Sequence, residues 1–408
     1  MKNKEFHWLS IEPYVHGVVK TNRALLYNTL NKKYLIIHDQ PDITTLISKL
    51  LDTNNGRVIK LSSSLLQKTT IKEFIESFRK KYMGDLYSSE WSSGKPFIFA
   101  PNPIIKESTF QLQDFLHEVT IHLDSGPNPK MKPWKNAYYQ FPFPQIDDTK
   151  KKEMDFKLLE SLIVQLSPLP IATIHLVGNE VFNYSFWIPL MEMIKNKQFR
   201  LKIHSPLSHL EDENLIYSGK HTQVSLLITL PINMIDLRKI EALAQNQVDQ
   251  SEIEFNFVVQ TPEEVAAVSE IMKTFKLKNS FFKPYFNGSN LDFFESMVFM
   301  NPTDILSSRP GQKQILSRYL LNENDFGRLT VLPDGELFAN VNDPRIGILT
   351  DTNLADLVKK EWKEGSSWRR IRINQSPCNH CIYQFLCPPV SNYELYLKKF
   401  NFCHTVFE

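Results

Sequence analysis

Hydrophobic and polar positions along the first hundred residues follow two rhythms. Gly17–Lys20, Ala24–Asn28 and Tyr34–His38 read as short strands, with Leu30–Lys33 as a turn before the last of them. From Pro41 the rhythm changes. Ile43, Leu46, Ile47, Leu50 and Leu51 fall at helical spacing, which predicts a helix opened by proline and stopped at Asn54–Gly56. Ile71, Phe74, Ile75 and Phe78 repeat that spacing, with Thr69 or Thr70 as the candidate cap. A small sheet with two or three helices is a winged-helix plan for residues 1–100.

Tyr87–Pro103 is rich in Ser, Gly and Pro and predicts a linker or strap. Strand and helix patterns then alternate. Val119–Leu123, Ile171–Leu176, Phe199–His204, Val224–Leu230, Ile253–Val259 and Ser280–Pro284 read as strands. Met154–Leu166, Phe182–Lys195, Met234–Leu243 and a stretch from Pro262 read as helices. This order argues an α/β fold, a parallel sheet or partial barrel over 104–310, with a further unit at 311–408.

Composition narrows the partners. The net charge of +2 over 408 residues makes no bulk electrostatic case for nucleic acid or an anionic membrane. The N-terminus is polar with no apolar h-region, and no apolar run approaches the ~20 residues of a membrane span. A soluble, cytoplasmic protein is expected. Arg79, Lys80 and Lys81 give a winged-helix unit a minimal case for DNA, but basic residues at a helix end also complement its dipole.

Chemistry is concentrated near the C-terminus. All four cysteines, Cys378, Cys381, Cys387 and Cys403, lie there at C-x2-C-x5-C-x15-C spacing. Four soft anionic sulfurs suit an Fe–S cluster or zinc, and two disulfides are the remaining alternative. Pro377 helps the first turn, Pro388 and Pro389 stiffen the chain after the third cysteine, and His380 and His404 are adjacent substitute ligands. Elsewhere there is no Walker A, G-x-S-x-G or H-E-x-x-H pattern. His122, His175 and His204, with Asp124 and Glu180, sit on or near the strand ends where a barrel collects catalytic groups, although packed histidines are commoner there.

The cysteine run resembles the SPASM domain, the auxiliary-cluster module of many radical SAM peptide-modifying enzymes. Cys378, Cys381, Cys387 and Cys403 match the cysteines that hold that family's outer cluster, which implies one [4Fe–4S] cluster here, with zinc as the alternative. Ser391 and Asn340 stand where the family has further cysteines, the latter after the hairpin-like stretch Phe326–Asn340, which implies that a second cluster is lost. The segment 104–310 is similar to the radical SAM partial TIM barrel, yet the loop after Leu123 lacks the family's C-x3-C-x2-C. No functional SAM cluster is implied. Gly178, Asn179 and Glu180 fall in the place of the family's G-G-E, and a turn that needs glycine explains Gly178 equally well.

Residues 24–37, ALLYNTLNKKYLII, with FRKKY at the end of the following helices, resemble the RiPP recognition element, a winged-helix-like domain that grips a precursor's leader peptide as an added strand. That implies side-chain pockets near Leu26, Leu35 and Phe74. The whole chain resembles pseudo-radical-SAM/SPASM proteins of ribosomal peptide maturation. The implied function is a non-catalytic accessory protein that binds a precursor leader, an active radical SAM/SPASM maturase, or both. The alternatives are an enzyme with non-radical chemistry in the barrel and a zinc-stabilised winged-helix regulator.

Overall fold

The structure, a computed structural model, describes residues 6–88, 94–98, 112–129, 131–147, 151–195, 197–210, 222–245 and 253–405. Residues 89–93 and 99–103 of the expected linker, and the start of the expected barrel unit, lie outside the described residues.

The N-terminal unit opens with β1 (Phe6–Ile11), a strand absent from the sequence reading because only Leu9–Ile11 are buried and the other half is mixed. β2 (Val15–Lys20), β3 (Arg23–Asn28) and β4 (Tyr34–His38) follow as an antiparallel sheet in the order β2-β3-β4, so β2 and β4 are its outer strands. α1 (Pro41–Leu51) has proline in its first turn, and Gly56 beyond it takes a left-handed φ of 55° that suits glycine. β5 (Val58–Ser62), α2 (Ser63–Leu66), α3 (Thr69–Lys80) and β6 (Gly84–Ser88) complete the unit, with a second sheet in the order β5-β1-β6. The N-cap of α3 is Lys68, not Thr69 or Thr70, and no side chain caps it. Ile71, Phe74, Ile75 and Phe78 are buried on one face of α3, as their spacing predicts, and share a core with Leu26, Leu46, Ile47 and Leu50.

The next strand is β7 (Glu118–His122), followed by a ribbon of β8 (Asp124–Gly126), β9 (Gln145–Ile146) and β10 (Lys152–Glu153). Strand and helix then alternate through α4 (Phe156–Leu166), β11 (Thr173–Val177), α5 (Trp187–Ile194), β12 (Arg200–Pro206) and β13 (Thr222–Thr229). They continue through α6 (Met234–Gln245), β14 (Ile253–Val259), α7 (Pro262–Thr274), β15 (Ser280–Pro284) and α8 (Leu291–Val298). Asp155 caps α4 and Thr261 caps α7, each accepting backbone N–H bonds that the helix start leaves open. The helix expected over Phe182–Lys195 is interrupted: Val181–Asn183 forms a short 3-10 turn before α5 begins.

The C-terminal part contains α9 (Pro302–Ser307), α10 (Gln312–Arg318), β16 (Arg328–Val331), β17 (Glu336–Phe338), β18 (Gly347–Ile348), α11 (Leu354–Glu364) and α12 (Asn392–Leu397). One mixed nine-stranded sheet runs in the order β15-β14-β13-β12-β11-β7-β16-β17-β18. β7 and β11 to β15 are parallel, the hairpin β16–β17 is antiparallel, and β16 pairs parallel with β7. The sheet therefore runs across residue 310 rather than ending there. Alternate strand residues such as Ile174, Leu176, Leu201, Ile203 and Phe255 pack in the large core, which leaves His175, Lys202, His204, Glu254 and Asn256 for the opposite face. Among the described residues, no helix is long and apolar enough to cross a membrane.

Candidate metal centre

All four cysteines line one cavity of about 180 Å³, together with Arg372, Pro388, Pro389, Ser391, Glu394 and neighbouring apolar side chains. A 3-10 turn over Cys378–His380 brings the first two together, with Cys381 N donating to Cys378 O at 3.0 Å. Tyr383 N points at Cys381 Sγ, 3.3 Å away, and Cys387 N donates to Tyr383 O at 2.9 Å. Cys403 arrives from the chain end through a parallel bridge to Met300, outside any named strand. None of the four is in a disulfide. His380 and His404 are exposed, and neither is among the residues that line the cavity.

The carbonyls around Cys387 are held by side chains from elsewhere. Arg318 Nη1 donates to Leu386 O at 2.8 Å, and the Nδ2 groups of Asn322 and Asn324 donate to Val390 O at 3.2 and 3.0 Å. Arg372 takes Pro388 O and Pro389 O. On its outer side the loop packs Ile382, Tyr383, Phe385 and Leu386 against Val18, Leu25 and Tyr27 of the N-terminal sheet. Tyr27 Oη also donates to Pro310 O at 3.0 Å.

Burial pushes the thiols up: Cys387 to about 12 despite the Arg372 charge, and Cys381 to about 11 despite the Tyr383 N–H. Cys378 is also raised by burial, against the pull of Arg372. Burial thus favours the neutral thiol at Cys378, Cys381 and Cys387, and metal uptake there would release protons. Among the described residues, no group of His, Cys, Asp and Glu is placed to hold a single metal ion. Four sulfurs, with no imidazole in the lining and the one carboxylate, Glu394, bound to Arg372, fit an Fe–S cluster or a thiolate zinc site in kind.

On the large sheet, the loop after β8 lays Met131, Trp134, Phe141 and Phe143 against Leu227 and Val258 and against Tyr285. The loop in which the sequence lacks cysteines is thus an apolar plug. Asp124 is buried and accepts from the backbone N–H groups of Asn179 (2.7 Å) and Glu180 (3.0 Å). A Cβ on Gly178 would stand 2.6 Å from Asp124 Oδ2, which is why glycine is needed there. Glu180 itself pairs with Lys151 at 2.9 Å.

The histidines come together in part. His175 Nδ1 lies 2.8 Å from His204 Nε2, and His175 Nε2 lies 3.3 Å from Glu118 Oε1. His122 is buried, its Nδ1 has no hydrogen-bond partner among the described residues, and burial lowers its pKa to about 4. Of the expected peptide-contact residues, Leu26 and Phe74 are packed in the N-terminal core and Leu35 is partly buried against it. Leu26 and Phe74 offer a docking strand no open surface as they stand.

No protein-family model matches the chain, and no curated protein sequence matches it. Among solved structures, Streptococcus suis SuiB bound to S-adenosylmethionine is 12% identical, covering 98% of this chain and 100% of that one, with a TM-score of 0.45. SuiB bound to precursor peptide SuiA is 11% identical, covering 97% and 98%, with a TM-score of 0.47. Similarity at this level decides nothing about what this chain does.

Two groups at the centre were missed in the sequence reading. Arg372 lies six positions before Cys378 in the sequence and carries no motif. Glu394 was legible: Ser391–Glu394 is an S-x-x-E capping box, and Ser391 and Glu394 cap α12 reciprocally. Ser391 Oγ donates to Glu394 Oε2 at 3.0 Å, so the serine in a family cysteine position has a local task.

Proposed function

We propose that the chain is a non-catalytic, pseudo-radical-SAM/SPASM-like partner in ribosomal peptide maturation. In this reading its N-terminal unit holds a precursor leader, its C-terminal unit carries one [4Fe–4S] cluster on Cys378, Cys381, Cys387 and Cys403, and an active maturase performs the chemistry. The observation that carries it is the pairing of two features: every thiol of the chain lines one cavity, and the loop after β8 packs an apolar cluster onto the large sheet.

Each part has its own support. Four thiols lining one cavity suit an Fe–S cluster or a tetrahedral zinc in kind, and the likeness of the cysteine spacing to the SPASM pattern favours the cluster. When bound, such a cluster supplies a covalent tie between distant chain segments and a one-electron relay. In the barrel, Asp124 already takes the N–H donors of the Asn179–Glu180 turn, leaving them none for a ligand. At the N-terminus, β4 is an outer strand whose edge can accept a peptide strand. The regulator reading loses support because Arg79 pairs with Asp85 at 2.6 Å and Lys81 donates to Tyr34 O at 2.7 Å.

A second reading, barrel chemistry without a SAM radical, is favoured by the Glu118–His175–His204 chain of contacts. An ionised Glu118 fixes the proton of His175 on Nε2, so His204 donates from its own Nε2 and presents a bare Nδ1. Neither reading uses a SAM radical, and one experiment tests the first. Protein purified anaerobically should carry about four irons and four sulfides per chain and yield no 5′-deoxyadenosine from SAM and dithionite. Stoichiometric zinc without sulfide would sink the cluster assignment, and SAM turnover would sink the non-catalytic one.

A further inference from the structure

We infer that the buried Arg372–Glu394 pair is the electrostatic control of the thiolate centre: Arg372 acts as its counter-cation, and Glu394 positions and partly cancels that charge. The inference rests on the cluster reading above and goes beyond it, because it assigns work to two residues that are not ligands.

Both groups are interior, with Arg372 8% exposed and Glu394 1%. Arg372 grips Glu394 through two parallel bonds, Nη1 to Oε1 at 2.9 Å and Nη2 to Oε2 at 3.1 Å. Its remaining N–H groups go to Pro388 O, to Pro389 O at 3.3 Å and to Phe400 O at 3.0 Å. Pro388 and Pro389 have no N–H of their own, so this stretch presents acceptors, which is what a guanidinium needs. Every donor is thereby anchored to an oxygen. Nη1 still lies 3.6 Å from Cys378 Sγ, as a fixed positive charge rather than a mobile one.

The charge count explains why such a group is present. Four thiolates, two of them buried and two partly buried, concentrate negative charge in a largely apolar cavity, where solvent screens it little. The cation closest to a sulfur stabilises the more negative, reduced state of a bound cluster relative to the oxidised one. Glu394 opposes it with a charge of the other sign. Removing either partner should therefore move the reduction potential, and in opposite directions.

Full-length wild type, Glu394→Gln and Arg372→Gln are purified anaerobically. Iron and labile sulfide are measured, and the midpoint potential is followed by spectroelectrochemical titration of the cluster absorbance. Glutamine at 394 preserves the capping box, so Glu394→Gln should keep its iron and titrate at a higher potential than wild type. Arg372→Gln should titrate lower and hold less iron. If Arg372→Gln does not fold, Glu394→Gln decides alone, since a purely structural salt bridge predicts no upward shift. Iron-replete Glu394→Gln with an unchanged or lowered potential overturns the inference while leaving the cluster reading intact. Wild type that contains no iron overturns both.

Discussion

Asp325→Asn should abolish a specific part of the pH dependence of stability. Asp325 is 2% exposed and sits beside Asn340, the residue that stands where the family resemblance expects a cysteine. Its Oδ1 accepts from Asn340 Nδ2 at 2.7 Å and its Oδ2 from Asn322 Nδ2 at 2.8 Å, while Arg370 Nη1 lies 3.5 Å away. Asn340 Nδ2 also donates to Asn392 Oδ1 at 2.7 Å, so hydrogen bonds join the hairpin to the segment after Cys387. Burial pushes the Asp325 carboxyl from 3.8 up to about 7; Asn340 and Arg370 pull against it and Asp343 adds to it.

The fold thus favours the protonated acid. Its contribution to stability is complete below about pH 4 and is lost as pH rises to about 7. About three pH units at roughly 1.4 kcal/mol each make this on the order of 4 kcal/mol. Asparagine cannot ionise, but it sets an NH2 against a donor, costing about 1 kcal/mol at every pH. Urea unfolding of both proteins from pH 4.5 to 7.5 should show the variant gaining on wild type as pH rises. Hydrogen exchange of the amides in 322–340 should locate the change in this hairpin. Parallel pH profiles for the two proteins would refute the assignment of a raised acid at Asp325.

Four further outcomes are expected. Cys387→Ala should lose most of the bound iron and loosen the C-terminal unit, measured by iron assay and limited proteolysis, because metal binding and local folding are coupled. Phe143→Ala, at a fully buried position of the plug, should cost about 3–5 kcal/mol in chemical unfolding, and SAM cleavage should remain absent. Deleting residues 1–90 should abolish leader binding of about micromolar affinity, as seen by fluorescence anisotropy, and should also lower iron retention, because the cysteine loop loses its packing against Val18, Leu25 and Tyr27. Single prolines across Tyr34–Ile37 should weaken binding by removing edge donors, and the same scan over Gly17–Lys20 tests the other outer strand.

The local elements were legible in the sequence because their signals are local. Four apolar residues at helical spacing are buried together in α3, and Ile253–Val259 and Ser280–Pro284 match β14 and β15 residue for residue. The cysteine cluster was legible too, since three of its members fall within ten residues of chain and leave little freedom to diverge. Where the signal was weak, as in half-buried β1, the strand was missed.

What only the tertiary structure decided are the partners that chain proximity does not supply. β16 lies against β7 because the open edge of a parallel sheet must be satisfied, and no periodicity in either strand names the other. Phe141 and Phe143 read as loop residues until Leu227 and Val258 are brought beneath them. Leu26 and Phe74, which the recognition-element resemblance places near peptide pockets, lie in the N-terminal core, a burial that only the packed structure displays. Arg372 acquires a role only where Glu394, Cys378 and three backbone carbonyls from later in the chain converge on one guanidinium, a meeting set by packing rather than by any pattern along the sequence.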